Sequence, residues 1–368
     1  MIIQSLKLAR VSLRCHKPFK TATVTSDLCR TLALCLTTSS GLCGWGEAVP
    51  KPMLTGDNLE GAIAAARDLL WPAVKGKNAW SIADIHSSMD RATIGYPSVK
   101  AAFDMAIYSI MSQSTELPLH VFLGGEADNC AIDTNYSIGL CSSQETGEEA
   151  KKIIADGFKS IKVKVGLDPD DDIARVRSVR EAAPGASIRI DANEGWSFTQ
   201  ALYALKRMEP YNIELAEQPI SHNELENMAE LRRRCNVPIY ADESCKTPVD
   251  VLRIIRLGAA DGINIKLMKS GGLYPALQMV HIAKTAGLDL MIGGMVGESS
   301  LSVSAATALA CAHKFNATDL DADLLLKDKL FPNCSLQYNN SQRILSPVAN
   351  GFGLGEIDNA FIEPIGEY

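Results

Sequence analysis

The chain has 368 residues, 46% of them hydrophobic and 21% charged, the make-up of a folded globular protein rather than a disordered one. A formal net charge of −7 leaves no basic stripe for nucleic acid or for an anionic membrane surface. No apolar run approaches the ~20 residues that cross a bilayer, and the opening MIIQSLKLARVSLRCHKPFK brings charges too early for a signal-peptide core.

The length exceeds one ordinary domain and suits a barrel of roughly 250 residues with a smaller domain beside it. Residues 1 to about 50 alternate as strands do, in SLKLARVSL and TLALCLTT, and SSGLCGWGEA turns them into an antiparallel meander. Three segments with apolar residues three and four apart follow: NLEGAIAAARDLLWPAV, WSIADIHSSMDRA and SVKAAFDMAIYSIMSQ, all expected to be helices. Pro118, Gly124 and Gly125 close this part, and the boundary is placed near residue 126.

From residue 127 to about 329 a strand–helix rhythm runs. The candidate strands are TNYSIG, SIKVKVG, SIRIDAN, IELAEQP, PIYADES, GINIKL, LDLMIGG and ATDLDADL, with amphipathic helices between them. Eight strands in this alternation predict a parallel barrel. An open doubly wound sheet is the competitor, but no GxGxxG follows a strand. The tail, from about 330 to 368, is Gly- and Asn-rich and is expected to return to the first domain.

Ten cysteines are scattered with no CxxC pair, many in apolar runs, so buried reduced thiols and a cytoplasmic protein are expected. The six histidines show no ligand spacing.

Lys164, Asp191, Glu217, Asp242 and Lys266 close successive apolar runs at intervals of 27, 26, 25 and 24 residues. A strand, a helix and two short loops occupy about that many residues. In a parallel barrel all strand C-termini open on one face, where active sites are built. Three carboxylates there repel one another unless a cation neutralises them. With hard oxygen ligands and neither His nor Cys, that cation is expected to be Mg²⁺. Separate solvated acids are the plainer alternative.

Lys162 and Lys164 lie two apart on one strand face, about 6.6 Å from each other. Two ammonium charges at that distance repel by about 2.5 kcal/mol at an effective dielectric of ~20, which favours a neutral, basic lysine. Lys266 ends the sixth strand, across the barrel from the second. Two amines flanking one carbon can remove a proton on one face and return it on the other. Lys269 either orients its neighbours or is a solvated loop lysine. A proton α to a carboxylate needs this apparatus, because its loss gives an enediolate that a divalent ion and a positioned base stabilise.

With KVK, DANEGW, EQP, ADES and NIKLMKSGG in this order, the chain resembles the muconate-lactonizing subgroup of the enolase superfamily over nearly its full length. The resemblance implies a (β/α)7β modified TIM barrel under an α+β capping domain made of the N-terminal part and the tail. It implies Mg²⁺ on Asp191, Glu217 and Asp242, acid/base catalysis by Lys164 and Lys266, and Lys162 on the substrate carboxylate. Asn193 and Lys269 stand behind these as supports.

Within the subgroup, DLDADL is similar to the Asp-x-Asp of dipeptide epimerases, which binds the substrate's terminal ammonium. Asp319 and Asp321 take that role here, with Asp323 as a competitor and solvated acids or a helix cap as the alternative. The same resemblance puts Ser137 against substrate and makes Gly294, Met295 and Val296 line the pocket. Two departures stand out. Val24 occupies the place where enzymes acting on Ala-Glu tend to have an arginine, which implies a second residue that is not acidic. GGMVGESS carries an extra residue, Gly297. The expected function is epimerisation of a dipeptide at the α-carbon of its C-terminal residue. N-acylamino-acid racemase with o-succinylbenzoate synthase activity, muconate cycloisomerisation and a Schiff-base aldolase are the alternatives. A homo-oligomer is left open.

Overall fold

The computed structural model describes residues 1–22, 24–127, 130–339, 341–345 and 351–368. Part of the Gly- and Asn-rich tail, 346–350, lies outside the described residues.

Strands β1 (Ile3–Lys20), β2 (Thr25–Thr38) and β3 (Cys43–Ala48) form an antiparallel meander. Along β1, Leu6, Leu8, Val11 and Leu13 face the core while Lys7, Ser12 and Arg14 face water, the two-residue period of a half-buried strand. The helix Pro97–Ser114 packs on this sheet and is buried over nearly its whole length. Gly44 and Gly46 of β3 make the close approach possible. A Cβ on either would strike the carbonyl oxygens of Ala106 and Ala102. The segment expected as one helix from 58 to 74 is helical but contains a π-turn over Ala65–Leu70.

A short strand, β4 (Ala131–Asp133), precedes eight parallel strands: β5 (Tyr136–Ile138), β6 (Ser160–Lys164), β7 (Ser187–Asp191), β8 (Ile213–Glu217), β9 (Ile239–Ala241), β10 (Gly262–Ile265), β11 (Asp289–Gly293) and β12 (Ala317–Asp319). They are hydrogen-bonded in sequence order. Between β12 and β5 the ring is completed differently. The Leu320 amide donates to Thr134 Oγ1 at 2.8 Å, and the Ser137 amide donates to Asp321 Oδ2 at 2.7 Å. The eighth strand therefore ends at Asp319 and not at 324 as expected. A 3₁₀ turn, Ala322–Leu324, follows it, and the gap is spanned by these side-chain bonds and one long backbone bond, from the Asn135 amide to the Thr318 carbonyl at 3.4 Å.

β13 (Gln337–Asn339) and β14 (Gln342–Ile344) pair with β4 in a small sheet that no sequence signal announced. The last strand, β15 (Ile362–Glu367), pairs antiparallel with β1. Among the described residues, no helix is long and apolar enough to cross a membrane.

Two buried acids of the N-terminal part cap barrel helices. Glu47 on β3 accepts from the Ser299 amide and hydroxyl, both at 2.9 Å, and from Ser302 Oγ at 2.8 Å, at the start of the helix Ser300–His313. Asp104 accepts from the amides of Leu273 and Tyr274, at 2.5 and 3.1 Å, at the start of the helix Leu273–Ala286. Helix N-termini carry unpaired amides and a partial positive charge, so an acid from a neighbouring element satisfies both.

The expectation of uniformly reduced cysteines is corrected. Cys130 and Cys311 are joined by a disulfide, 181 residues apart in sequence. Their approach is a tertiary event that spacing in the chain does not show. The other eight are free thiols, and only Cys43 among them is exposed.

Candidate active site

Strand register decides which side chains meet at the barrel mouth. Lys164 pairs with Asp191, Asp191 with Glu217, Ser137 with Lys162 and Gly293 with Asp319. Residues two earlier on the same inward faces, Leu215, Tyr240, Met291 and Ala317, form a separate apolar plug beneath. β6 and β10 stand four places apart in the ring of eight, so Lys164 and Lys266 approach from opposite sides.

Lys162 is fully buried, with its Nζ 2.6 Å from Asp319 Oδ2, 2.6 Å from Glu217 Oε2 and 3.0 Å from Asp191 Oδ2. Lys164 Nζ donates to Asp191 Oδ2 at 2.5 Å and to Asn193 Oδ1 at 3.1 Å. Lys266 Nζ donates to Asp242 Oδ2 at 2.8 Å and lies 3.8 Å from Glu217 Oε1. Lys269 is no solvated loop lysine. It is buried on the turn Leu267–Ser270 and donates to the Asp242 carboxylate and to the carbonyls of Cys245 and Asn264.

After β7 the backbone enters the left-handed region at Asn193 and Glu194, with φ of 42° and 67°. Such strain persists where surrounding bonds over-determine it. Here the Asn193 amide donates to Asp191 Oδ1 at 2.9 Å and the Glu194 amide to the Gln218 carbonyl at 2.9 Å. The bend aims the Asn193 side chain at both Lys164 and Glu243.

Charge in this layer is unbalanced. Six buried carboxyls (Asp191, Glu217, Asp242, Glu243, Asp319, Asp321) face four buried ammoniums (Lys162, Lys164, Lys266, Lys269), which leaves two negative charges over when all are ionised. The shortage shows in the acids. Burial pushes Glu217 up to about 7, with the Asp191 charge adding to it. Burial also lifts Glu243 to about 8 and Asp321 to about 7, helped by Asp242 and Asp319 respectively. For Asp191 and Asp242 burial works against ionisation, but Lys162 and Lys164 around the first, and Lys266 and Lys269 around the second, hold both below the usual carboxylate range. Burial also pulls Lys162 down, yet Asp191, Asp319 and Glu217 together hold it well above its ordinary value. The expectation that two neighbouring lysines weaken each other therefore does not describe Lys162.

Among the described residues no three acids stand as an open cage, because the ammoniums lie between them. The donor chemistry nevertheless fits a hard divalent cation. The oxygens are carboxylate, they are two positive charges short, and Glu217 Oε2 and Glu243 Oε2 are buried without a hydrogen-bond partner. Lys162 Nζ near the first of these lies outside hydrogen-bond geometry.

Above this layer opens a cavity of about 170 Å³. Val24, Ser137, Lys162, Lys164, Asn193, Lys266, Gly294, Met295, Val296, Asp319 and Asp321 all line it. Asp319 is already engaged, by Lys162, by Asn135 Nδ2 at 2.7 Å and by Ser137 Oγ at 3.4 Å. Asp323 does not compete for the cavity, since its carboxylate pairs with the buried Arg343 and it faces the tail. Glu243, Asn264, Asn135 and Lys51 were not singled out from sequence. Asn264 and Asn135 each stand two residues before a chosen residue, so their inward direction was readable. Glu243 lay inside ADES unassigned. Lys51 gave no signal.

Comparison with known proteins agrees with this architecture. Residues 145–356 match the family model described as enolase C-terminal domain-like, and residues 3–124 match the mandelate racemase/muconate lactonizing enzyme N-terminal domain. The chain is 36% identical over 324 residues to a hydrophobic dipeptide epimerase of Enterococcus faecalis, covering 88% of this chain and 91% of that one. It is 36% identical over 360 residues to an L-Ala-D/L-Glu epimerase of Bacillus subtilis, covering 96% and 97%. A crystal structure of a dipeptide epimerase from Cytophaga hutchinsonii, complexed with Mg and the dipeptide D-Ala-L-Val, superposes with a TM-score of 0.93 at 31% identity, covering 99% of both chains.

Proposed function

Since the chain belongs to the mandelate racemase/muconate lactonizing family of the enolase superfamily and is an isomerase of that family, we propose that it is a magnesium-dependent dipeptide epimerase acting at the α-carbon of the C-terminal residue. One observation carries the reading. Two lysines face one cavity from opposite sides, and a buried acid, Asp321, lies in the wall where a free ammonium would be held.

Asp191, Glu217 and Asp242 would hold the magnesium. Bound there, the ion supplies the missing positive charge and stabilises negative charge developing on the substrate carboxylate. Lys164 as the free amine takes the α-proton from one face. Lys266, as the ammonium, returns a proton on the opposite face, and the roles exchange for the other epimer. Lys162 adds a third positive charge beside the developing one. Asp321 holds the peptide's terminal ammonium, while Ser137 and Asp319 fix its direction. Asn193 orients Lys164, and Lys269 fixes Asp242. Gly294, Met295 and Val296 form the wall beside the substrate.

At the rim, Val24 replaces a charged reader with an apolar side chain 48% exposed, and Phe19 lines the same cavity. The second residue of the dipeptide is therefore not acidic. The Asp321 carboxyl also weighs against N-acylated amino acids and muconate, which bring no ammonium to pair with it.

The test is α-deuterium uptake in D₂O across a panel of L,L-dipeptides, with and without EDTA. Exchange that disappears with the chelator and returns with Mg²⁺ supports the reaction, whereas chelator-insensitive exchange overturns it. Faster exchange of Ala-Glu than of any Ala–apolar dipeptide overturns the side-chain assignment alone.

A further inference from the structure

Four lysines line the substrate cavity, and three of them are neutralised by carboxylates. The fourth, Lys51, follows β3. Among the described residues its ammonium has no ion pair and no hydrogen bond, although its backbone is firmly held. The Lys51 amide donates to Thr55 Oγ1 at 2.8 Å, and its carbonyl accepts from the amides of Leu54 and Thr55 at 2.9 and 2.8 Å. Thr55 in turn donates to Asp57, which accepts from Ser98 Oγ at 2.5 Å on the long buried helix. A fixed turn thus presents a partly buried cation to a cavity whose upper wall is mostly apolar, with Phe19, Val24, Met53, Leu54, Met295 and Leu325 beside the neutral Thr21 and Ser26.

The position of Lys51 on the rim says which part of a dipeptide it faces. Val49, two residues before it, lies 3.5 Å from where a Cβ on Gly297 would stand. Cys29 packs against Gly297, just past β11, where an added Cβ would lie 3.1 Å from it. Cys15 bridges to Leu326, which follows the cavity-lining Leu325. Lys51 therefore overhangs β11 and β12, the side of the cavity that holds Asp321. Val24 belongs to a different stretch of rim. It closes the turn in which the Thr21 amide donates to the Val24 carbonyl at 2.9 Å, and Lys20 is tied to Leu140, beyond β5, at 2.8 Å.

We propose that Lys51 is a specificity-determining residue that binds a carboxylate on the side chain of the dipeptide's first residue. The preferred substrates are then aspartyl or glutamyl dipeptides with an apolar second residue. The assignment rests on the dipeptide epimerase reading. A carboxylate placed there pairs with an ammonium that no group of the chain neutralises, while a neutral isostere leaves that ammonium as it is. The pair lies at a cavity rim and is partly screened, so it tunes substrate choice and does not carry the reaction.

The experiment compares kcat/KM for deuterium uptake by L-Glu-L-Leu and L-Gln-L-Leu in low salt, for the unaltered chain, Lys51→Met and Lys51→Glu. The expected preference for the glutamyl substrate is about tenfold, expressed in KM and shrinking as salt rises. It falls to about one in Lys51→Met, and Lys51→Glu favours L-Lys-L-Leu instead. A ratio near one in the unaltered chain, or one unchanged in Lys51→Met, overturns the proposal. An acid preference seen only at the second position, with L-Ala-L-Glu against L-Ala-L-Gln, overturns it too. Calorimetric binding of the same two dipeptides in Mg²⁺ separates the two readings. No exchange with unequal affinities removes the reaction and leaves the Lys51 site, whereas equal affinities remove the Lys51 site whatever the turnover.

Discussion

Asp321 shows how much one side chain depends on its surroundings. It lies beyond the end of β12, and its carboxylate accepts from the Ser137 amide at 2.7 Å while facing the cavity. Replacing it with Asn keeps the shape and removes the charge. Dipeptide kcat/KM should fall on the order of a hundredfold in Asp321→Asn, with Mg²⁺ affinity nearly unchanged, as measured by exchange kinetics and calorimetry. Equal loss of both would make Asp321 a structural acid. The lysines give a sharper test. Lys164→Ala or Lys266→Ala should lose epimerisation by at least about 10³-fold while keeping the native fold, as read by circular dichroism. Full turnover in either variant would refute two-base transfer.

A second residue-scale prediction concerns Glu298. Burial lifts its carboxyl to about 8, and the Glu47 charge adds to the shift. A folded-state value above the unfolded one, ~4.3, means the native protein binds this proton more tightly. Its contribution to stability is complete below the unfolded value and is lost as pH rises from there through about 8. Glu298→Gln cannot ionise. Its melting temperature should therefore gain on the parent steadily between pH 5 and 8, and thermal melts across that range will show whether the gap opens.

At the scale of elements, the fit between β3 and the helix Pro97–Ser114 decides how the N-terminal sheet sits. Gly46→Ala puts a methyl group into the Ala102 carbonyl, so strand or helix must shift. The expected cost is about 1–3 kcal/mol, visible as a lower chemical-denaturation midpoint. The sequence announced both elements, through two-residue alternation in one and apolar spacing in the other. It did not announce their backbone contact. A glycine in a strand reads equally as a bulge, a bend or a close approach until its neighbour is known. The small sheet of β4, β13 and β14 was invisible for a related reason. Its strands are three residues each, too short for a period to show.

Over the whole molecule, Glu47 and Asp104 tie the N-terminal part to two barrel helices through N-terminal amides that have no partner within the helix. Glu47→Ala leaves the Ser299 amide and two serine hydroxyls without their acceptor in a buried place. A loss of about 2–4 kcal/mol is expected, read by denaturant unfolding. Because the same variant loosens the segment that carries Gly294, Met295 and Val296, dipeptide KM should rise along with it.

The sequence alone determined the barrel, since eight apolar runs spaced by amphipathic helices have few other ways to bury themselves. It also determined that Lys164, Asp191, Glu217, Asp242 and Lys266 would share a mouth, because each ends a run and parallel strands end on one face. What the fold alone decided are contacts between residues far apart in the chain. These are the Cys130–Cys311 bond, the pairing of Asp323 with Arg343, the burial of Lys269 beneath Asp242 and the arrival of Lys51 over the cavity. Periodicity tells which way a side chain points from its own strand or helix. Its charge state and partner depend on what another element brings to meet it, and only packing in three dimensions fixes that.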